Sequence, residues 1–260
     1  MSSVGVTVLG SGSKGNAIVV HNAQEGLLID AGMSFREIRR RLAVAGLAES
    51  LIKGILVTHE HSDHVSGLRV CADHFQVPVY ASRLCADRLR HQDDKMCPAI
   101  LFTPGGSFPV CGFTVLPFAV QHDAVEPVGY VISMGSRKVG IALDLGRPGQ
   151  MTEFQLRSCD TLAIESNHDL NMLAASKRPW HLKQRILGPQ GHLSNQQSQE
   201  LLGKTLSSNT RNVILVHISQ ECNTAELAEN SARRKLQELG RSDVHLQAAK
   251  QEQPLPTVWA

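Results

Sequence analysis

The apolar positions of this chain fall in short runs separated by polar and glycine-rich breaks. Val4 to Leu9, Ala17 to Val20 and Gly26 to Ile29 are too short for helices and rich in β-branched residues, so they predict three strands. A different spacing follows, because Phe35, Ile38, Leu42 and Ala45 recur every three to four residues and predict a helix over Met33 to Ala48. Beyond it the pattern alternates. A buried strand is predicted over Ile52 to Val57, a helix over Val65 to Phe75, a strand over Val77 to Ala81 and a helix over Arg83 to Arg90. Phe108 to Val120 reads as a long β region. Gly129 to Met134 and Lys138 to Leu143 form a hairpin around Gly135-Ser136. Thr152 to Ser158 is helical, Asp160 to Ile164 is a strand, and Met172 to Pro189 is irregular or helical. Ser194 or Asn195 caps a helix reaching Leu206, Asn212 to Val216 is a strand, Thr224 caps a helix to Leu239, and Val244 to Leu246 is a short last strand. The tail after Gln251, with Pro254 and Pro256, is expected to fray.

Strands without helices followed by strands alternating with helices fit two packed sheets with helices outside. No linker, repeat or low-complexity stretch interrupts residues 1–260, so one domain is expected. With 260 residues, 42% of them apolar, the chain can bury a sizeable core. A net charge of +2 neither demands nor excludes a polyanionic partner. Six scattered cysteines lack a Cys-x-x-Cys pair and predict reduced, mostly buried thiols. The chain opens directly on strand-like sequence without a signal-peptide pattern, and no apolar run reaches the ~20 residues of a membrane span. A cytoplasmic protein is therefore expected.

Candidate chemistry concentrates in Thr58-His59-Glu60-His61-Ser62-Asp63-His64, where the buried strand ends. Imidazole nitrogens and carboxylate oxygens suit borderline divalent metals. In extended backbone His59 and His61 point to the same side, while Asp63 and His64 can face a second point after a tight turn. Such a cluster serves two metals about 3.5–4 Å apart. Apolar strands elsewhere end in Asp30, His122, Asp144, Glu165 and His217. If those ends meet at one sheet edge, that edge gathers ligand-type side chains on loops held by rigid strands. The loop Gly10-Ser11-Gly12-Ser13-Lys14-Gly15-Asn16 is either a hairpin turn or an anion cradle built from backbone N–H groups. Arg36, Arg39, Arg40 and Arg41 are either a solvated helix face or a phosphate contact. Trp180, among basic residues, is either a core anchor or a stacking surface for a base.

His-x-His-x-Asp-His after an apolar strand, followed by isolated His, Asp and His at later strand ends, resembles the metallo-β-lactamase superfamily. The resemblance spans Asp30 to His217. It implies an α/β (α+β) fold, an αββα four-layer sandwich of two mixed sheets flanked by helices, with a two-metal site on its edge. His59, His61 and His122 would hold one metal, Asp63, His64 and His217 the other, with Asp144 bridging and Asp30 orienting the site. Segments 10–16, 165–169, 191–195 and 217–223 are similar to the YycJ/WalJ-type group, which implies a DNA exonuclease acting 5′ to 3′. The order of His192, helix, strand and His217 is also similar to tRNase Z and to a cyclic phosphodiesterase. The chain lacks the residues a β-CASP insertion would need, which argues against RNase J-type enzymes.

The expected chemistry is two-metal phosphodiester hydrolysis, with hydroxide available near neutral pH and charge neutralised on the phosphoryl oxygens. Asp63 would also accept a hydrogen bond from the nucleophile, and His192 would protonate the leaving oxygen or hold the phosphate. Ser13, Asn16, Asn167 and Ser219 are candidate substrate contacts. His168 is either a group near substrate or a hydrogen-bonded loop histidine. The ligand set suits zinc, and manganese and iron occupy similar sites. The expected partner is a nucleic acid, with DNA favoured over RNA, and nothing in the pattern excludes a homodimer. The competing reading is a small-molecule metallo-hydrolase acting on a cyclic phosphodiester, thioester or lactone.

Overall fold

A computed structural model describes residues 3–260. In chain order the elements are β1 (Gly5–Gly10), β2 (Ala17–His21), β3 (Gly26–Ile29), α1 (Phe35–Val44), β4 (Ile52–Leu56), α2 (Ser62–Val65), α3 (Leu68–Phe75), β5 (Val79–Ser82), α4 (Arg83–Gln92) and β6 (Ile100–Phe102). Then follow β7 (Phe108–Val110), β8 (Phe113–Ala119), β9 (Val128–Met134), β10 (Arg137–Ala142), α5 (Gln150–Leu156), β11 (Thr161–Glu165), α6 (Leu170–Ala175) and α7 (Trp180–Leu187). The last elements are α8 (Asn195–Thr205), β12 (Asn212–Val216), α9 (Ala225–Glu238), β13 (His245–Ala248) and β14 (Val258–Trp259).

Two seven-stranded sheets form, in the orders β14-β1-β2-β3-β4-β5-β6 and β13-β12-β11-β10-β9-β8-β7. Each is mixed. The first is antiparallel through β3 and parallel from β3 to β6, and the second is parallel from β10 to β13 and antiparallel from β10 to β7.

The layering follows from side-chain alternation. Ile18, Val20, Leu27 and Ile29 meet Ala163, Ile214 and Val216 between the sheets. The intervening Val19 and Leu28 pack outward with Ile38, Leu42, Leu68 and Leu89 of the helices on that side. On the far side Leu162, Ile164, Val213 and Leu215 pack with Leu156, Leu201, Leu202 and Leu236. Strands buried on both faces read as continuous apolar runs, which is why periodicity marked them less clearly than it marked the helices. The architecture is the expected αββα sandwich.

Boundaries moved where local chemistry outweighed pattern. The helix expected over Met33 to Ala48 starts only at Phe35, because the Ser34 hydroxyl caps it by accepting from the Glu37 amide. The β region from Phe108 is broken by Cys111, whose φ is +53°. Strand β6 forms in a stretch where the pattern predicts no element. The end of the chain, expected to fray, is tied down: Val258–Trp259 pair with β1, and the Gln251 side chain is buried. Cys71, Cys85, Cys159 and Cys222 are buried thiols, and no disulfide is present among the described residues.

Candidate metal centre

The carboxyl ends of β3, β4, β10, β11 and β12 open at one edge of the sandwich, and that edge carries the site. Parallel register aligns Ile29 with Leu56, Ala142 with Ile164, and Glu165 with Val216, so the residues just beyond these strands emerge side by side. The two sheets are joined there, since the Val128 amide donates to the Thr58 carbonyl at 3.0 Å. Three site residues have positive φ without being glycine: Asp30 (+60°), Asp144 (+25°) and His217 (+52°). Such backbone persists only where surroundings hold it. Around His217 they do, because its amide donates to Ser11 Oγ at 2.9 Å and its carbonyl accepts from Asn167 Nδ2 at 2.9 Å.

Two donor sets result. His59, His61, His122 and Asp144 form one, and Asp63, His64, His217 and Asp144 the other, with the candidate ligand atoms of each set within 4.8 Å of one another. Asp144 belongs to both. Its Oδ2 lies 3.3 Å from His59 Nε2, 3.1 Å from His64 Nε2 and 3.5 Å from His122 Nε2. Asp63 Oδ2 lies 3.4 Å from His217 Nε2 and 3.5 Å from His64 Nε2. All seven residues expected to ligate metal are thus brought together.

Hydrogen bonding fixes which nitrogen four of the five imidazoles turn inward, while His61 Nδ1 lies 3.3 Å from His122 Nε2. His64 Nδ1 is 2.7 Å from Asp30 Oδ2, His122 Nδ1 is 3.1 Å from the Gly191 carbonyl, and His217 Nδ1 is 2.9 Å from Glu165 Oε1. The Thr58 hydroxyl donates to Asp30 Oδ2 at 2.7 Å and therefore accepts from His59 Nδ1 at 3.0 Å. In each case one ring nitrogen is engaged by an acceptor outside the site and the other faces the site, the arrangement that orients ligating histidines. His59 Nε2, His217 Nε2 and Asp144 Oδ1 are buried without a hydrogen-bond partner. Asp144 Oδ1 lies 2.7 Å from His217 Nδ1, yet that nitrogen bonds Glu165 and its geometry toward Asp144 is not that of a hydrogen bond. Buried polar atoms left this way cost about 1–3 kcal/mol each, and cations between the two sets would satisfy them. The donors fit divalent metal ions.

Electrostatics agree with this geometry. Burial pushes His59 down and His122 down to about 4, which keeps their lone pairs free. For His64 and His217 burial also opposes the cation, but Asp144 next, with Asp30 beside His64 and Asp63 and Glu165 beside His217, raises both well above the usual histidine range. That is the signature of a carboxylate-rich site asking for positive charge. Burial works against the Asp144 carboxylate, yet His217 and His64 hold it ionised.

One residue that sequence reasoning noticed only as a strand end proves central. Glu165 is completely buried and accepts from four donors: Leu145 N and Leu193 N at Oε2, and His192 Nδ1 and His217 Nδ1 at Oε1. Despite burial, the nearby His192 and His217 bring it down to about 2. Although Glu165 and His192 cluster with Asp144 and His217, its oxygens are fully engaged, so it orients histidines rather than ligating. His192 sits at the rim with its side chain 22% exposed and Nε2 unengaged by protein.

The expected substrate contacts are placed differently from one another. Ser13 is exposed on its loop. Asn16 is buried, with Oδ1 accepting from Ser11 Oγ and Gly12 N, its amide nitrogen 3.1 Å from His64 Nε2, and its backbone N–H donating to Asp63 O at 2.8 Å. Asn167 holds the His217 carbonyl, and Ser219 Oγ accepts from Cys222 N at 3.1 Å. Asn16 and Asn167 are thus hydrogen-bonded to the backbone of Asp63 and His217, and Ser219 Oγ to the turn that follows His217. The loop amides of Ser11, Gly12, Lys14, Gly15 and Asn16 all donate to protein acceptors, which leaves no cradle of free N–H groups for an anion.

Other expectations resolve as well. Arg41 is buried and donates to the Leu9 and Gln251 carbonyls, whereas Arg39 and Arg40 pair with Glu49 and Glu37. His168 is fully buried, neither ring nitrogen has a partner, and burial pushes it down to about 4, so it is a neutral packed ring. Trp180 is 68% exposed and anchors no core.

The chain's sequence and fold have relatives. A family model described as a beta-lactamase superfamily domain matches residues 26–218. Exodeoxyribonuclease YycJ of Bacillus anthracis is 34% identical over 240 residues, covering 90% of this chain and 89% of that protein. Exodeoxyribonuclease WalJ of Streptococcus pneumoniae D39 is 32% identical, covering 88% and 87%. Among solved structures, the metallo-beta-lactamase fold protein YhfI from Bacillus subtilis superposes with a TM-score of 0.74 at 15% identity, covering 97% of this chain and 99% of that one.

Proposed function

The chain belongs to the beta-lactamase superfamily domain family and is a hydrolase, and from that premise we propose that it is a metal-dependent exodeoxyribonuclease removing nucleotides from a 5′ end. The observation that carries the reading is Asp144 shared between two histidine-rich donor sets, with His192 held on Glu165 beside them. The exodeoxyribonuclease relatives, aligned over about nine-tenths of this chain, point to DNA as the substrate. No helix among the described residues is long and apolar enough to cross a membrane.

His59, His61, His122 and Asp144 would hold one divalent ion, zinc or manganese, and Asp63, His64, His217 and Asp144 a second. Bound there, the ions supply an acidified water and positive charge toward the phosphoryl oxygens. The remaining chemistry belongs to the chain. Asp63, with its side chain 20% exposed, faces the opening and accepts a hydrogen bond from the attacking water. Burial disfavours the His192 cation, but Glu165 outweighs it and raises this histidine, so its Nε2 carries a proton for the departing 3′ oxygen. Asp30 and Thr58 hold His59 and His64, Glu165 holds His192 and His217, and Asn16 holds the Asp63 backbone.

Incubation of protein loaded with zinc or with manganese, using DNA labelled at each end in turn, the matching RNA, and bis-p-nitrophenyl phosphate, tests this reading. Early release of a labelled mononucleotide from the 5′ end is expected. Hydrolysis of the small ester with both polynucleotides intact would replace it with a small-molecule hydrolase.

A further inference from the structure

Residues 170–191 connect the segment after Glu165 to the loop bearing His192, and they carry Lys177, Arg178, Lys183 and Arg185 with no carboxylate. They fold as α6 and α7. No residue of α7 is fully buried, and polar contacts tie the segment down. Lys183 Nζ donates to the Ala174 carbonyl, Arg178 pairs with Glu221, Arg185 pairs with Asp123, and the Ile186 carbonyl accepts from the His192 amide at 3.0 Å. Trp180 opens the helix with its side chain exposed, three positions after exposed Lys177, which has no ion-pair partner among the described residues. A large aromatic ring usually buries its area. This one stands in a basic segment that is hydrogen-bonded directly to the turn of the proton donor.

Resting on the nuclease reading above, we propose that Trp180 is a stacking platform for an unpaired base near the DNA end, with Lys177 beside it facing the phosphate backbone. Lys177 and Lys183 carry charge that no carboxylate pairs among the described residues and that favours a polyanion, and an aromatic face accepts any base. From Trp180 to Ile186, whose carbonyl holds the His192 amide, the helix rises about 9 Å, the length of two or three nucleotides at about 3.4 Å each.

Trp180 and Trp259 are the chain's two tryptophans, so the Trp259→Phe variant reports on Trp180 alone. In metal-loaded Trp259→Phe protein, phosphorothioate-linked decathymidylate, which resists hydrolysis, should quench the fluorescence saturably. On unmodified decathymidylate, Trp180→Ala should raise KM about tenfold with kcat changed less than twofold, and Trp180→Phe should recover most of the loss. In the wild type KM should fall between the dinucleotide and the pentanucleotide, and Trp180→Ala should lose that dependence on length. An unquenched indole, or an unchanged KM in Trp180→Ala, would overturn the assignment. So would a dimer in sedimentation that Trp180→Ala converts to monomer, because the face would then belong to a second copy. If no oligonucleotide of any length is cleaved while bis-p-nitrophenyl phosphate is hydrolysed, the nuclease reading itself fails; cleavage with unaltered KM removes only the stacking role.

Discussion

Glu165 Oε1 accepts a hydrogen bond from His192 Nδ1 at 2.8 Å while accepting another from His217 Nδ1 at 2.9 Å. One buried oxygen therefore couples the proposed proton donor to a proposed metal ligand. The Glu165→Gln variant keeps the shape but removes the charge, and its amide nitrogen opposes donors that now have no acceptor. Partners of this kind are worth roughly 10- to 100-fold in activity or metal affinity. Turnover of bis-p-nitrophenyl phosphate should fall by about that factor, with the fold intact by circular dichroism. Full turnover would mean that the histidines orient themselves without it.

Asp144 is the residue common to both donor sets. Asp144→Asn should lose metal from both, leaving less than one equivalent by mass spectrometry and no measurable hydrolysis. Retention of two equivalents would remove the bridging assignment.

Gln251 anchors the loop behind the site. Its Oε1 accepts from Lys14 N at 2.8 Å, its Nε2 donates to the Gly15 carbonyl at 2.9 Å, and its carbonyl accepts from buried Arg41. The same loop supplies Ser11 to the His217 amide and Asn16 to the Asp63 carbonyl. Gln251→Ala leaves the buried Gly15 carbonyl and the Lys14 amide without their partner, a loss of about 1–3 kcal/mol. Thermal unfolding should drop by about 2–10 °C, and half-saturation of activity should require more metal. An unchanged melting temperature would show that the loop holds itself.

Glu37 links this support to pH. Hydrogen bonding to Arg40, reinforced by Arg41, holds its carboxyl at about 2, below the ordinary value of 4.5. A lowered folded-state value stabilises the fold above about pH 4.5 and loses that contribution as the pH falls toward 2. The melting-temperature difference between wild type and Glu37→Gln should be full at pH 6 and shrink steadily below pH 4.5. A difference independent of pH would show that the ion pair contributes nothing.

Much of this protein is legible in its sequence, because the deciding signals are local. Runs such as Ala17 to Val20 encode strands by residue type. The spacing from His59 to His64 packs four potential ligands into six positions, and a carboxylate or imidazole at the end of an apolar strand needs no distant partner to be noticed. Tertiary structure decided what those residues lean on. Glu165 gains its importance from His192 and His217, which are 27 and 52 positions away. Arg41 is buried rather than solvated because Leu9 and Gln251, the latter 210 positions distant, present carbonyls to it. Trp180 is exposed because it opens a helix of which no residue is buried. Hydrogen-bond direction, burial and the choice of inward nitrogen depend on which strands lie side by side, and strand order across a sandwich is set by packing between segments that the linear pattern keeps apart.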